Sequence, residues 1–334
     1  MIFPRVIAFE LTRKCRYNCL HCRAGAAMGI GDALDTSACK RILQSVGACS
    51  KPLIIFTGGE PLERDDIFEL IAYAKSLGLP SALATCGYKL DSNAAENIKT
   101  AGIGAVSLSL DGPTRQMHDS FRKSSGAFDA VVNASGILKA HGIRFQINST
   151  ITTHNADMLD ELARIAGELG AACFNIFILV PTGRGEAISS QLLDRDRYES
   201  VLEKLAGMKR EMPIDLRVTC GPQFARIMAT RDAPVPVKGC LGGKEFGFIS
   251  YRGDIQICGF LDISAGNLAK NDFDFGKLWA SSDFLNSIRN RPSFKGKCAA
   301  CEYLETCSGC RARAYAVTGD FLASDPICQY RPTK

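Results

Sequence analysis

Cys15, Cys19 and Cys22 follow one another as C-x3-C-x2-C, directly after a strand-like run over residues 6–11. Three thiolates on one loop can hold three irons of a 4Fe–4S cluster and leave the fourth open to activate a small molecule. Gly58, Gly59 and Glu60 close a second strand-like run. Glycines there let the backbone come close to a ligand, and a carboxylate there can accept from an ammonium group. Ser109 and Asp111 stand at the end of another run, although Asp111-Gly112-Pro113 alone would be only a turn.

Seven further cysteines lie beyond residue 239: Cys240, Cys258, Cys298, Cys301, Cys307, Cys310 and Cys328. Four of them form C-x2-C-x5-C-x2-C, and spacing alone leaves structural zinc and iron–sulfur clusters both open. Gly253 precedes Cys258 where a turn between two strands would need it. Cys39, Cys49, Cys86 and Cys173 are expected to pack as small apolar residues. The four histidines do not cluster, and no Ser/His/Asp arrangement for hydrolysis is visible.

The elements that must position these groups alternate up to about residue 180. Strands are expected over 6–11, 53–56, 81–85, 105–110, 144–151 and 173–180. Between them lie amphipathic helices, such as 65–77 ending at Gly78 and one capped by Asp35. Six successive βα units imply a parallel sheet with helices outside, too few for a closed eight-stranded barrel. The expected fold is therefore α/β, an open partial (β/α)6 barrel, with chemistry at the C-terminal strand ends, where the triad, Gly-Gly-Glu and Ser109/Asp111 all fall. The division expected is 1–212 for the barrel, 213–238 as a linker that includes the Pro/Val-rich 234–237, and 239–334 as a small cysteine-rich domain. A formal charge of +5 without a Lys/Arg run argues against nucleic acid as a partner. No apolar run reaches the ~20 residues of a membrane span. Fifteen cysteines without a secretory leader lead us to expect a reducing, cytoplasmic setting.

The triad with Gly-Gly-Glu resembles the radical S-adenosylmethionine (SAM) enzymes, and 240–328 resembles their SPASM extension, which carries two auxiliary 4Fe–4S clusters. That resemblance implies SAM as cofactor and three 4Fe–4S clusters in all. SAM would sit on the open iron of the Cys15/Cys19/Cys22 cluster and give a 5′-deoxyadenosyl radical that abstracts hydrogen from substrate. Gly58, Gly59 and Glu60 would meet the amino group of SAM, Ser109 and Asp111 its ribose, Arg122 its carboxylate, with Asn148 a further polar contact. Cys298, Cys301, Cys307 and Cys328 would hold one auxiliary cluster, and Cys240, Cys258 and Cys310 the other. The second set departs from the common pattern and lacks a fourth ligand; Cys220 is the candidate, and an open iron facing substrate the alternative.

Longer strings, including residues 146–152, 179–185 and 310–320, resemble the tetrapyrrole-modifying branch of the family, and its heme b synthases over nearly the whole chain. The implied reaction is oxidative decarboxylation of two propionates of Fe-coproporphyrin III to vinyls. A flat tetracarboxylate needs an apolar slot with cationic ends, and Arg184, Arg311 and Arg313 are the candidates. A reducing donor such as flavodoxin or ferredoxin is the expected partner. Other tetrapyrrole steps (a heme d1 enzyme or a didecarboxysiroheme deacetylase), a peptide or protein maturase, and a non-catalytic iron–sulfur electron carrier are the competing readings.

Overall fold

A computed structural model describes residues 3–31, 33–230 and 237–333. Its strands are β1 (Val6–Glu10), β2 (Leu53–Thr57), β3 (Ser81–Thr85), β4 (Ala105–Ser109), β5 (Phe145–Ile151), β6 (Cys173–Ile178), β7 (Asp215–Thr219), β8 (Phe246–Ile249) and β9 (Ile255–Gln256). They form one sheet in the order β7-β6-β5-β4-β3-β2-β1-β8-β9, parallel throughout except between β8 and β9. The six expected strands are all present, with ends shifted by two residues at most. Asp35 caps the helix Thr36–Cys49 by accepting from the Ala38 N–H at 2.7 Å. Gly78, at φ +71°, follows the helix Ile67–Ser76 in the left-handed conformation that glycine adopts without strain.

The sheet runs further than six strands at both edges. β7 falls inside the stretch expected as a linker and pairs with β6. β8 comes from the cysteine-rich part and pairs with β1, and Gly253 makes the turn into β9 at φ +84°. Positions 234–236 of the expected boundary lie outside the described residues. No helix among the described residues is long and apolar enough to cross a membrane.

Side chains alternate across each strand, and the two faces differ sharply. The outer face carries Ile7, Phe9, Ile54, Phe56, Leu83, Val106, Leu108, Ile147, Phe174 and Ile176, all buried in one core with Ile42, Leu70, Ile98, Val131, Leu138, Leu162 and Leu202 of the helices. Each such side chain contributes about 1.5–3 kcal/mol when fully buried. The inner face instead carries Ala8, Ala84, Ser107, Ser109, Gln146, Asn148 and Asn175, which wall a cavity. A closed barrel fills its interior with bulky branched residues. Small and polar residues here leave about 760 Å³ of space.

Candidate active site

The cysteine triad lies on the loop after β1 and is clamped from two sides. Gly59 and Glu60 donate their N–H groups to the carbonyls of Thr12 and Lys14, both at 2.8 Å. A Cβ on Gly58 would stand 2.5 Å from the Thr12 oxygen, and one on Gly59 2.4 Å from the Lys14 oxygen. These glycines let two loops touch. From the other side Arg184 donates to the Cys19 carbonyl (2.9 Å) and the Ala26 carbonyl (2.8 Å), and its own N–H bonds the Cys22 carbonyl at 3.0 Å. Cys15, Cys19 and Cys22 all face the cavity as free thiols, a soft donor set. Burial pushes the Cys19 thiol up to about 11, with the Arg122 charge opposing.

Gly58, Gly59, Ser109, Arg122 and Asn148 wall the same cavity. Glu60 and Asp111 do not. Glu60 is fully buried and accepts from the Thr85 hydroxyl (2.7 and 2.8 Å), the Cys86 N–H (2.7 Å) and the Leu62 N–H (3.1 Å). Each carboxylate oxygen thus accepts from the protein itself. Asp111 is also buried; it accepts from Arg122 Nε at 2.6 Å and from the Thr150 N–H at 2.7 Å. Burial works against its charge, but Arg122, His21, His118 and the Thr150 N–H outweigh that and hold the carboxyl below its usual range. Its position is that of an anchor for Arg122, whose Nη1 lies 3.8 Å from Cys19 Sγ.

Cys220, Cys240, Cys258 and Cys310 line the same cavity. The Cys220 thiol hydrogen-bonds Cys310, which this bond lowers to about 7, and Cys258 and Cys240 feel the Cys310 charge. Burial pushes Cys258 up to about 12. Cys220 therefore lies beside Cys310 and within electrostatic reach of Cys258, and it shares the cavity wall with Cys240. Cys240 is held there because its N–H bonds the Cys307 carbonyl at 3.0 Å. Cys298, Cys301, Cys307 and Cys328 line a separate small cavity of about 30 Å³ together with Arg226 and Gln223. Three thiols of the triad loop and four from elsewhere line the large cavity and four line the small one, although among the described residues no three or more His, Cys, Asp or Glu side chains are drawn together tightly enough to hold a metal ion.

The three arginines expected at substrate carboxylates are placed otherwise. Arg184 is absent from the cavity wall because its guanidinium bonds triad-loop carbonyls. Arg311 and Arg313 are almost fully buried. Arg311 donates to the carbonyls of Phe321 (3.0 Å) and Ala323 (2.6 Å) and lies 3.8 Å from Cys298 Sγ; Arg313 pairs with Asp325 at 3.3 Å and bonds the Cys220 carbonyl. These guanidiniums brace the cysteine loops, while Arg184 Nη2, Arg311 Nε and Arg313 Nε are buried without a hydrogen-bond partner. Sequence reasoning missed Cys86, which lines the cavity and hydrogen-bonds Cys15. It also missed a polar row across β5–β7, in which Asn148 accepts from Gln146 (2.9 Å) and Asn175 (3.4 Å), and Asn175 accepts from Thr219 (3.0 Å). The period-2 pattern of β5 would have exposed its part of that row.

Comparison with known proteins agrees with this arrangement. The radical SAM superfamily profile matches residues 9–167. The chain is 38% identical to the AdoMet-dependent heme synthase of Methanosarcina barkeri over 99% of this chain and 98% of that protein. It is 28% identical to the Fe-coproporphyrin III synthase of the same organism, over 97% of this chain and 87% of that one. The crystal structure of Streptococcus suis SuiB bound to precursor peptide SuiA shares the fold, with a TM-score of 0.80 at 18% identity over 99% of this chain and 77% of that one.

Proposed function

Because the chain belongs to the radical SAM superfamily and, within it, to the AdoMet-dependent heme synthases, we infer that it converts Fe-coproporphyrin III to heme b by oxidative decarboxylation of two propionates. The observation that carries the reading is one apolar cavity of about 760 Å³ whose wall includes both the triad and Cys220, Cys240, Cys258 and Cys310. That volume is in the range of sites for a large flat ligand. Each propionate that becomes a vinyl loses one hydrogen atom from its β-carbon, one carbon dioxide and one electron. When bound, SAM and its 4Fe–4S cluster supply the hydrogen-atom acceptor, and two auxiliary 4Fe–4S clusters supply an electron acceptor.

The chain's own residues do the positioning. Cys15, Cys19 and Cys22 hold the first cluster; Cys220, Cys240, Cys258 and Cys310 the second; Cys298, Cys301, Cys307 and Cys328 the third. The Gly58-Gly59 backbone, Ser109 and Asn148 receive SAM, and Arg122 its carboxylate, with Asp111 fixing the guanidinium. Residues 1–212 act as the SAM-binding part and 239–334 as the auxiliary-cluster part, joined by 213–238. The setting is a reducing cytoplasm, with a flavodoxin- or ferredoxin-type donor.

The test is anaerobic: protein reconstituted with iron and sulfide, reduced, and given SAM and Fe-coproporphyrin III. Two successive mass losses of carbon dioxide plus two hydrogens, alongside 5′-deoxyadenosine, are expected. Deoxyadenosine with unchanged porphyrin would reject this substrate.

A further inference from the structure

We propose that Lys209 and Arg217 form the carboxylate-binding end of the cavity and set the preference for a substrate with several acidic side chains. The inference rests on the tetrapyrrole reading above. Arg217 is on β7, in register with Asn175 of β6, and Lys209 is in the last turns of the helix Arg195–Glu211. Both line the cavity. Both also bond Asp215: Lys209 Nζ lies 3.1 Å from Oδ1, and Arg217 Nε 2.8 Å from Oδ2. Lys209 further donates to the Leu216 carbonyl at 2.7 Å.

Two cations around one carboxylate leave a net positive charge on this wall. Arg217 engages Asp215 through Nε, which leaves its terminal nitrogens for another anion. Asp215 stands between the two side chains as a positioning residue. The remaining cations of the wall are differently placed. Arg122 pairs with Asp111 at 2.6 Å; Arg23 shares Glu10 with Arg13 (3.0 and 3.4 Å) and Lys238 shares Glu245 with Arg5 (2.5 and 3.6 Å), but Arg13 and Arg5 do not line the cavity. Arg311 points its donors at carbonyls.

The position also suits the chemistry. The triad follows β1 and the paired glycines follow β2, whereas Arg217 lies on β7, five strands from β2 in the sheet order. At ~4.8 Å per strand that is about 24 Å along the curved sheet. Carboxylates held at β7 would meet a different strand of the wall from those that carry the triad and the paired glycines. The polar row Gln146–Asn148–Asn175–Thr219 runs across β5, β6 and β7.

The experiment is a spectroscopic titration of the reconstituted holoenzyme with Fe-coproporphyrin III and with its tetramethyl ester. Wild type, Lys209→Gln, Arg217→Gln and the double variant are compared, with reductive SAM cleavage in the absence of porphyrin as a check on the fold. The double variant is expected to bind the tetra-acid at least about tenfold more weakly and the ester as wild type does, with SAM cleavage retained. Equal tetra-acid binding by wild type and the double variant overturns this inference alone. A wild type that binds no porphyrin overturns the tetrapyrrole reading and this inference with it. Loss of ester binding in the double variant also overturns it, because the contribution is then to shape and not to charge.

Discussion

Arg184 Nε donates to the Cys19 carbonyl at 2.9 Å, tying the loop after β6 to the middle of the cysteine triad. Gly183 makes the approach possible, since a Cβ there would stand 2.4 Å from the Arg23 oxygen. Removing a charged donor from two buried carbonyls costs about 1–3 kcal/mol locally. Arg184→Met is therefore expected to release triad iron to a chelator several-fold faster than wild type. Its affinity for porphyrin should be unchanged. A weaker porphyrin affinity with normal iron release would return Arg184 to a substrate role.

Cys220 occupies the left-handed region at φ +59°, which a non-glycine residue adopts at a cost of about 1 kcal/mol. Its carbonyl accepts from Arg313 and its thiol meets Cys310. A strained backbone that brings one thiol beside another is consistent with ligation. Both Cys220→Ala and Cys220→Gly should lose or alter the signal of one auxiliary cluster in electron paramagnetic resonance while keeping the triad cluster. The metal-free glycine variant should be the more stable of the two, by about 1 kcal/mol, because it relieves the strain. Unchanged spectra and iron content in both variants would leave the fourth position to another group.

Much of this site is legible in the chain itself because cluster cysteines come at fixed local spacings, and the βα alternation places them at strand ends. The spacing of Cys15, Cys19 and Cys22 needs no tertiary information, whereas the groups around Cys240 and Cys298 are expected from the family resemblance. What stayed hidden depends on contacts far apart in sequence. β7 is five residues long with two exposed, charged positions, so its period-2 pattern resembles a polar linker until β6 is seen beside it. An arginine facing substrate and one bonded to carbonyls look alike in sequence; only the partners separate Arg217 from Arg184. The surroundings of Glu60 were hidden for a similar reason. Its oxygens meet Thr85 and Cys86 across the neighbouring strand, a pairing that no local spacing announces.

Gly59 bears on the same clamp. The Lys14 oxygen stands 2.4 Å from where a Cβ would be, and the neighbouring group is backbone that cannot swing aside. Gly59→Ala must push the triad loop away from β2. The expected outcome is loss of most SAM-cluster iron with the Cys298 group still loaded, read from iron content and spectra. Gly29→Ala, where nothing lies within 4 Å, is the control and should behave as wild type.

His118 supplies a pH dependence. It is buried, and its Nδ1 accepts from the Asp111 N–H at 3.0 Å, so the native ring is neutral. Burial, with the Arg122 charge, lowers it to about 4; Asp111 and Asp119 oppose that. The unfolded value is about 6.5. Between those values the unfolded chain binds the extra proton, so stability is fully present above about pH 6.5 and is lost as pH falls through about 4. The loss reaches about 3 kcal/mol over that window. Asp111 is held below its usual range and adds its own loss only at still lower pH. His118→Asn should therefore flatten the fall in melting temperature between pH 7.5 and pH 5 relative to wild type, while lowering the value at pH 7.5. An equal fall in both proteins would place the acid sensitivity in other groups.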